Sequence, residues 1–101
     1  MKNVTGIAWY KDEITYRKAF DLFIDSKNMP STFKEWQAFV KRQIKEIKDS
    51  GDIAIRADID PETFTKWCNE NGFRLDSRGR IEFVKRIEIE HMKTGNGIVI
   101  E

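Results

Sequence analysis

Cys68 and His91 are the residues from which covalent chemistry would start, because a thiolate beside an imidazole is the minimum for a nucleophile and its base. Their spacing gives that pairing no support. Cys68 follows Trp67 on an apolar helical stripe, and free cysteine is among the most buried residue types, so a core role is the simpler reading. His91 falls near the end of a predicted helix, where an imidazole serves as a dipole partner or a half-buried filler. A structural zinc site takes about four Cys or His ligands, and this chain has one of each, which excludes it. Asp58, Asp60 and Glu62 gather carboxylates at a predicted strand-to-helix junction, a place that suits a hard cation. Helix capping accounts for Asp60 and a solvated strand face for Asp58, and the glycine and late bidentate Glu of a calcium loop are missing. Gly51 and Gly72 stand alone as helix stops, so no glycine loop cradles a phosphate. No catalytic residue, metal site, cofactor or small-molecule substrate is read from these residues, and an enzyme is not expected.

Two sets of side chains point instead to binding. Arg74, Arg78, Arg80, Lys85 and Arg86 leave residues 71–86 at +3 after Asp76 and Glu82 are subtracted, against −3 for residues 51–70. With a helix at 61–71 and another at 77–92 joined through Gly72, they give a helix-turn-helix-like pair whose second helix could meet bases or phosphates. Glu82, Glu88 and Glu90 interleave with the cations, and Lys34, Lys41, Lys45 and Lys48 form a second basic line that reads as a solvated helix face. The other set is aromatic: Trp9, Tyr10, Trp36 and Trp67 exceed what so small a core needs, and Trp and Tyr are favoured at interfaces. Trp9 and Tyr10 are adjacent on a predicted strand, so their side chains leave opposite faces and one of them is expected to be open to a protein partner or a second copy in a homodimer.

The elements that must position these residues follow from local rules. Val4 to Lys11 is β-branched and aromatic and reads as a first strand. Tyr16, Ala19, Phe20, Phe23 and Ile24 make one helical stripe within 13–25, which ends before Pro30. Thr32 and Glu35 match a capping box, and Phe33, Trp36, Val40, Ile44 and Ile47 continue a long helix to a stop at Gly51. Ile53, Ile55, Ala57 and Ile59 alternate with Ala54, Arg56 and Asp58 as a half-buried strand. Asp60-Pro61 starts a third helix, Asn71-Gly72 ends it, and Phe73 is placed to fold back on Trp67 or Cys68. After Asp76 the apolar spacing fits strand or helix. The i,i+4 charges Arg78–Glu82, Glu82–Arg86 and Arg86–Glu90 favour a helix from Ser77 to about Met92, with 97–101 a tail or short edge strand. The alternative is a shorter helix followed by a hairpin turning at Gly95-Asn96-Gly97.

Trp9-Tyr10, Met29-Pro30-Ser31-Thr32 with Glu35-Trp36, Ile59-Asp60-Pro61 with Phe64 and Trp67-Cys68, and Asp76-Ser77-Arg78 together resemble a family of small uncharacterised bacterial proteins. The resemblance covers roughly residues 7 to 84. It implies a bacterial or mobile-element origin and a helix after Asp76. That family has no assigned activity, so it transfers no functional residue.

With 101 residues, 40% hydrophobic and 12% aromatic, the chain has the material for one domain with one core. One cysteine permits no internal disulfide, and no apolar run approaches membrane-spanning length, which together predict a cytoplasmic protein without a membrane partner. The resulting expectation is an α+β domain of four helices and two or three short strands in the order β-α-α-β-α-α(-β). It would act as a protein-interaction module through Trp9 and Tyr10, or alternatively as a nucleic-acid-binding regulator through the basic cluster.

Overall fold

The computed structural model describes residues 3–101. Strand β1 (Val4–Trp9) is followed by helices α1 (Glu13–Leu22) and α2 (Phe33–Asp49), which return the chain to strand β2 (Ile53–Asp58). Helices α3 (Pro61–Asn71) and α4 (Ser77–Thr94) lead to a short strand β3 (Ile98–Val99). β1 pairs with β2 in parallel, Val4 opposite Ile53 through Trp9 opposite Asp58, and β3 pairs with the far side of β2 antiparallel. The sheet order β1-β2-β3 makes β2 central and leaves β1 as an edge strand. This is the expected α+β architecture in the expected order.

Side-chain caps set the helix starts. Asp12 accepts the Thr15 N–H (2.8 Å), Thr32 that of Glu35 (3.1 Å), Asp60 that of Thr63 (3.0 Å) and Asp76 that of Gly79 (3.1 Å). The capping box at Thr32 is half formed, because the Glu35 carboxylate accepts the Ser31 hydroxyl (3.4 Å) instead of turning back to Thr32. Gly72 closes α3 with φ +75°, and Phe73 folds back to stack on Trp67 with centroids 5.4 Å apart. Helix α1 ends earlier than its apolar stripe, since Phe23 is already extended; Phe23 still reaches the core, whereas Ile24 is 63% exposed. On α4 none of the three anticipated i,i+4 pairs is an ion pair, and the salt bridge within the helix is Lys85 to Glu82 at 3.8 Å. The helix owes its place to packing: Phe83 meets Phe64 and Trp67 edge-on at 5.3 Å from each.

β2 is covered on both faces, not half buried. Ile55 and Ala57 share one face with Gly6 and Ala8 of β1, whose side is covered by α4, while Ala54 and Arg56 share the other with Ile7. Ala54, Ile55 and Ala57 are all sealed, and Arg56 lies 5.1 Å from the Trp9 ring centre with a hydrogen bond to Asp58 (2.9 Å). A central strand sandwiched between helices buries its nominally polar face as well.

Helix α4 comes this close to β1 because residue 6 has no side chain. A Cβ built on Gly6 would stand 2.5 Å from Val84 Cγ1 and 3.1 Å from Glu88 Cγ. Gly6→Ala is therefore expected to cost about 1–3 kcal/mol as α4 is pushed from the strand, and Val84→Ala in the same chain to recover part of it. Urea denaturation of the two variants measures both effects; an additive double variant would contradict this contact.

Candidate functional site

The parallel ladder divides the backbone of β1 by parity. The carbonyls of Asn3 and Trp9 accept the N–H groups of Ile53 and Ile59, both at 2.8 Å, so odd-numbered residues turn their polar groups toward β2. Val4, Gly6 and Ala8 turn theirs outward. The Gly6 N–H meets the Glu88 carboxylate of α4 at 2.6 Å; the outward N–H groups of Val4 and Ala8 have no partner among the described residues. This edge forms the floor of a groove of about 1050 Å³. One wall is α2, with Trp36, Phe39, Val40 and Ile47, and the other is α4, with Arg80, Ile81, Val84 and Glu88. The segment Lys27–Pro30 lines it as well, held by the Tyr16 hydroxyl donating to the Pro30 carbonyl (2.5 Å). Phe39 and Ile81 are large apolar side chains left exposed along its walls.

A bidentate pair fixes one end of the groove. Arg80 donates to both Asp25 oxygens at 2.9 and 2.8 Å, and the two side chains are only 15% and 19% exposed. The guanidinium also lies 4.8 Å from the Phe23 ring centre. The Arg80 hydrogen bonds hold the Asp25 carboxyl below its ordinary value, despite the burial that opposes them. Beside this pair Tyr10 meets Tyr16 and Trp36 edge-on, and Tyr16 lies tilted against Trp36, with centroids 5.0 to 5.8 Å apart. Burial pushes the Tyr16 hydroxyl up to about 12 and raises that of Tyr10 as well, with the Arg80 charge opposing both, so each keeps its proton.

The residues singled out from the sequence fall differently. Tyr10 is 2% exposed, so of the adjacent pair it is the ring that faces the core and is not an open contact surface. Trp9 is half buried, edge-on to Trp36 at 5.5 Å and covered by Arg56. Of the basic cluster, Arg74, Arg78, Lys85 and Arg86 are exposed, while Arg80 points the other way into its ion pair and is withdrawn from any basic surface. Cys68 is sealed, with its thiol pushed up by burial and then by Asp76, and a ring nitrogen of His91 meets the Asn96 carbonyl at 2.8 Å. Asp58 is taken by Arg56 and Asp60 by its cap, and no cluster of metal-ligating side chains occurs among the described residues. No helix among the described residues is long and apolar enough to cross a membrane. Gly6, Asp25, Phe39 and Glu88, which build the groove, were not among the sequence candidates. An isolated glycine in a β-branched strand was the available signal, since it marks a close backbone approach. Comparison of the chain with protein-family models, curated proteins and solved structures gives no match.

Because the folded state lowers the Asp25 pKa below 3.8, the pair contributes stability that is fully present above that value and lost as pH falls through the lower folded one. Asp25→Asn is expected to destabilise by about 2 kcal/mol at pH 7, less than for a fully sealed pair, by leaving Arg80 without its charge partner. Its unfolding free energy should also be flatter than the parent's between pH 4 and 2. Chemical denaturation across that range reads both, and parallel pH curves would remove the pair from this role.

Proposed function

We propose that this chain is a protein-interaction module that takes an extended segment of a partner protein as an added strand on the outer edge of β1. The observation that carries the reading is the outward edge of β1 along the floor of an apolar groove, where Gly6 and Ala8 line the floor and the Ala8 N–H has no partner among the described residues. Strand addition draws its affinity from such main-chain groups and its selectivity from flanking side-chain pockets, here walled by Phe39 and Val40 on one side and Ile81 and Val84 on the other. Six residues of β1 correspond to about 20 Å of extended chain, enough for a short linear motif. The edge is recessed between two helices. A second copy would bring its own α2 and α4 against these walls before its β1 arrived, so a segment without flanking structure fits better than a symmetric pairing of edges. Glu88 meanwhile holds the Gly6 N–H and sets a charge at the edge, a device that discourages indiscriminate pairing.

Peptides selected from a random display library on the intact protein supply the test. Their binding is expected to shift the amide resonances of Val4, Gly6 and Ala8 and to weaken at least about tenfold in Phe39→Arg, which places a charge on a groove wall. Peptides that bind the variant equally well, or that shift resonances only on α1 and α3, would contradict the reading. Glu88→Ala should raise the affinity of the same peptides by freeing the Gly6 N–H; lowered affinity would mean that Glu88 contacts the ligand.

A further inference from the structure

The two walls of the groove stand on opposite faces of the sheet. Trp9, an odd-numbered residue of β1, meets Trp36 of α2, while Gly6, an even-numbered one, lies against Val84 of α4. Both helices also line the space beyond the β1 edge, so they overhang it from the two sides. Successive side chains of a strand leave opposite faces, and a strand added to β1 therefore sends one parity toward α2 and the other toward α4. On the α2 side it meets Trp36, Phe39, Val40 and Ile47, with Gln43 as the polar residue among them; on the α4 side it meets Ile81 and Val84. The charges of the second wall are already engaged. Arg80 is held by both Asp25 oxygens, the Glu88 carboxylate accepts the Gly6 N–H, and Lys85 is exposed and lies 3.8 Å from Glu82. Strand β2 shows what such a place asks of a chain. Its Ala54, Ile55 and Ala57 are all sealed although they alternate between the same two faces.

We infer that the bound segment is uncharged and carries about four apolar residues in succession, one parity packed on α2 and the other on α4. The inference rests on the strand-addition reading and deepens it by naming the chemistry of the segment. The α2 wall from Trp36 to Ile47 runs roughly 16 Å, the length of about five extended residues, which sets the size of the run. A charged side chain of either parity would be stripped of water against these walls without a partner to replace it. A segment that alternates apolar with polar residues would use one wall and waste the other. Consecutive apolar residues are the composition of a strand buried on both faces, and an amphipathic edge strand lacks it. The partner is thus a protein that presents a core-type strand without its own cover.

The experiment uses sets of fluorescein-labelled octapeptides of one composition, half Val, Ile, Leu or Phe and half Ser or Thr, that differ only in order. One set holds its apolar residues in a single block, another alternates them with the polar ones, and a third spaces them at i, i+3, i+4 and i+7 as on one face of a helix. Equal composition removes any difference in overall hydrophobicity. Anisotropy titration of the full chain is expected to show the block set binding at least about tenfold tighter than either of the others. Phe39→Arg on the α2 wall and Ile81→Arg on the α4 wall should each weaken the block set by about tenfold or more. Both side chains are exposed in the parent, 41% and 57%, so neither change opens the core. Equal or tighter binding of the alternating set, weakened by either variant, would overturn the two-wall assignment and leave strand addition standing. A block set weakened by only one of the variants would do the same. Tightest binding by the helically spaced set, binding that neither variant weakens, or no binding by any set would overturn both readings. The comparison of sets on the parent protein decides the matter even if a variant does not fold.

Discussion

The approach of α4 to β1 over Gly6 is the contact on which the rest of this structure turns. A strand that carries a side chain at that position keeps a helix at arm's length; here the backbone itself is the packing surface. From that approach come the position of Val84 against the strand and the reach of Glu88 to an edge N–H that β2 cannot satisfy. The recess along β1 follows too, since an edge flanked by helices on both faces becomes the floor of a groove.

The groove walls belong to segments far apart in sequence, and a few polar contacts lock them together. Asp25 and Arg80 join the loop after α1 to α4, and the backbone bond from Ile24 N–H to the Leu75 carbonyl (2.9 Å) lies beside them. The Tyr16 hydroxyl ties Pro30 to the same aromatic cluster that supports Trp36. A half-buried ion pair contributes little net stability compared with apolar side chains of the same volume, but it specifies which surfaces meet. The aromatic side chains do the bulk of the burial, and the ion pair fixes α4 against the segment that follows α1.

The helices were legible because their ends are encoded locally. Asp60-Pro61, Thr32 and Gly72 act within one turn of where they stand, and the structure places each helix start at its cap. Strand β2 was legible as a strand but not as a central one, because alternation reports side-chain parity and says nothing about what covers the second face. Helix α4 was identified for a reason the structure does not use: the i,i+4 charges point into solvent, and aromatic packing supplies the stabilisation. The site was the least legible part. Arg80 reads as one more cation in a basic run until Asp25, fifty-five residues earlier, is folded against it. Tyr10 reads as a spare aromatic ring until Tyr16 and Trp36 close around it. Long-range partners of this kind leave no local pattern, and only Gly6 carried a signal in its own neighbourhood.

Residue-resolved amide hydrogen exchange of the free protein shows whether the outer edge of β1 is open in solution. An open edge gives an alternation along β1: Thr5, Ile7 and Trp9 protected by their bonds to β2, Val4 and Ala8 exchanging fast, and Gly6 between them because of Glu88. Uniform protection from Val4 to Trp9 would mean that the outer edge is already covered in solution, and the open-edge account would be wrong.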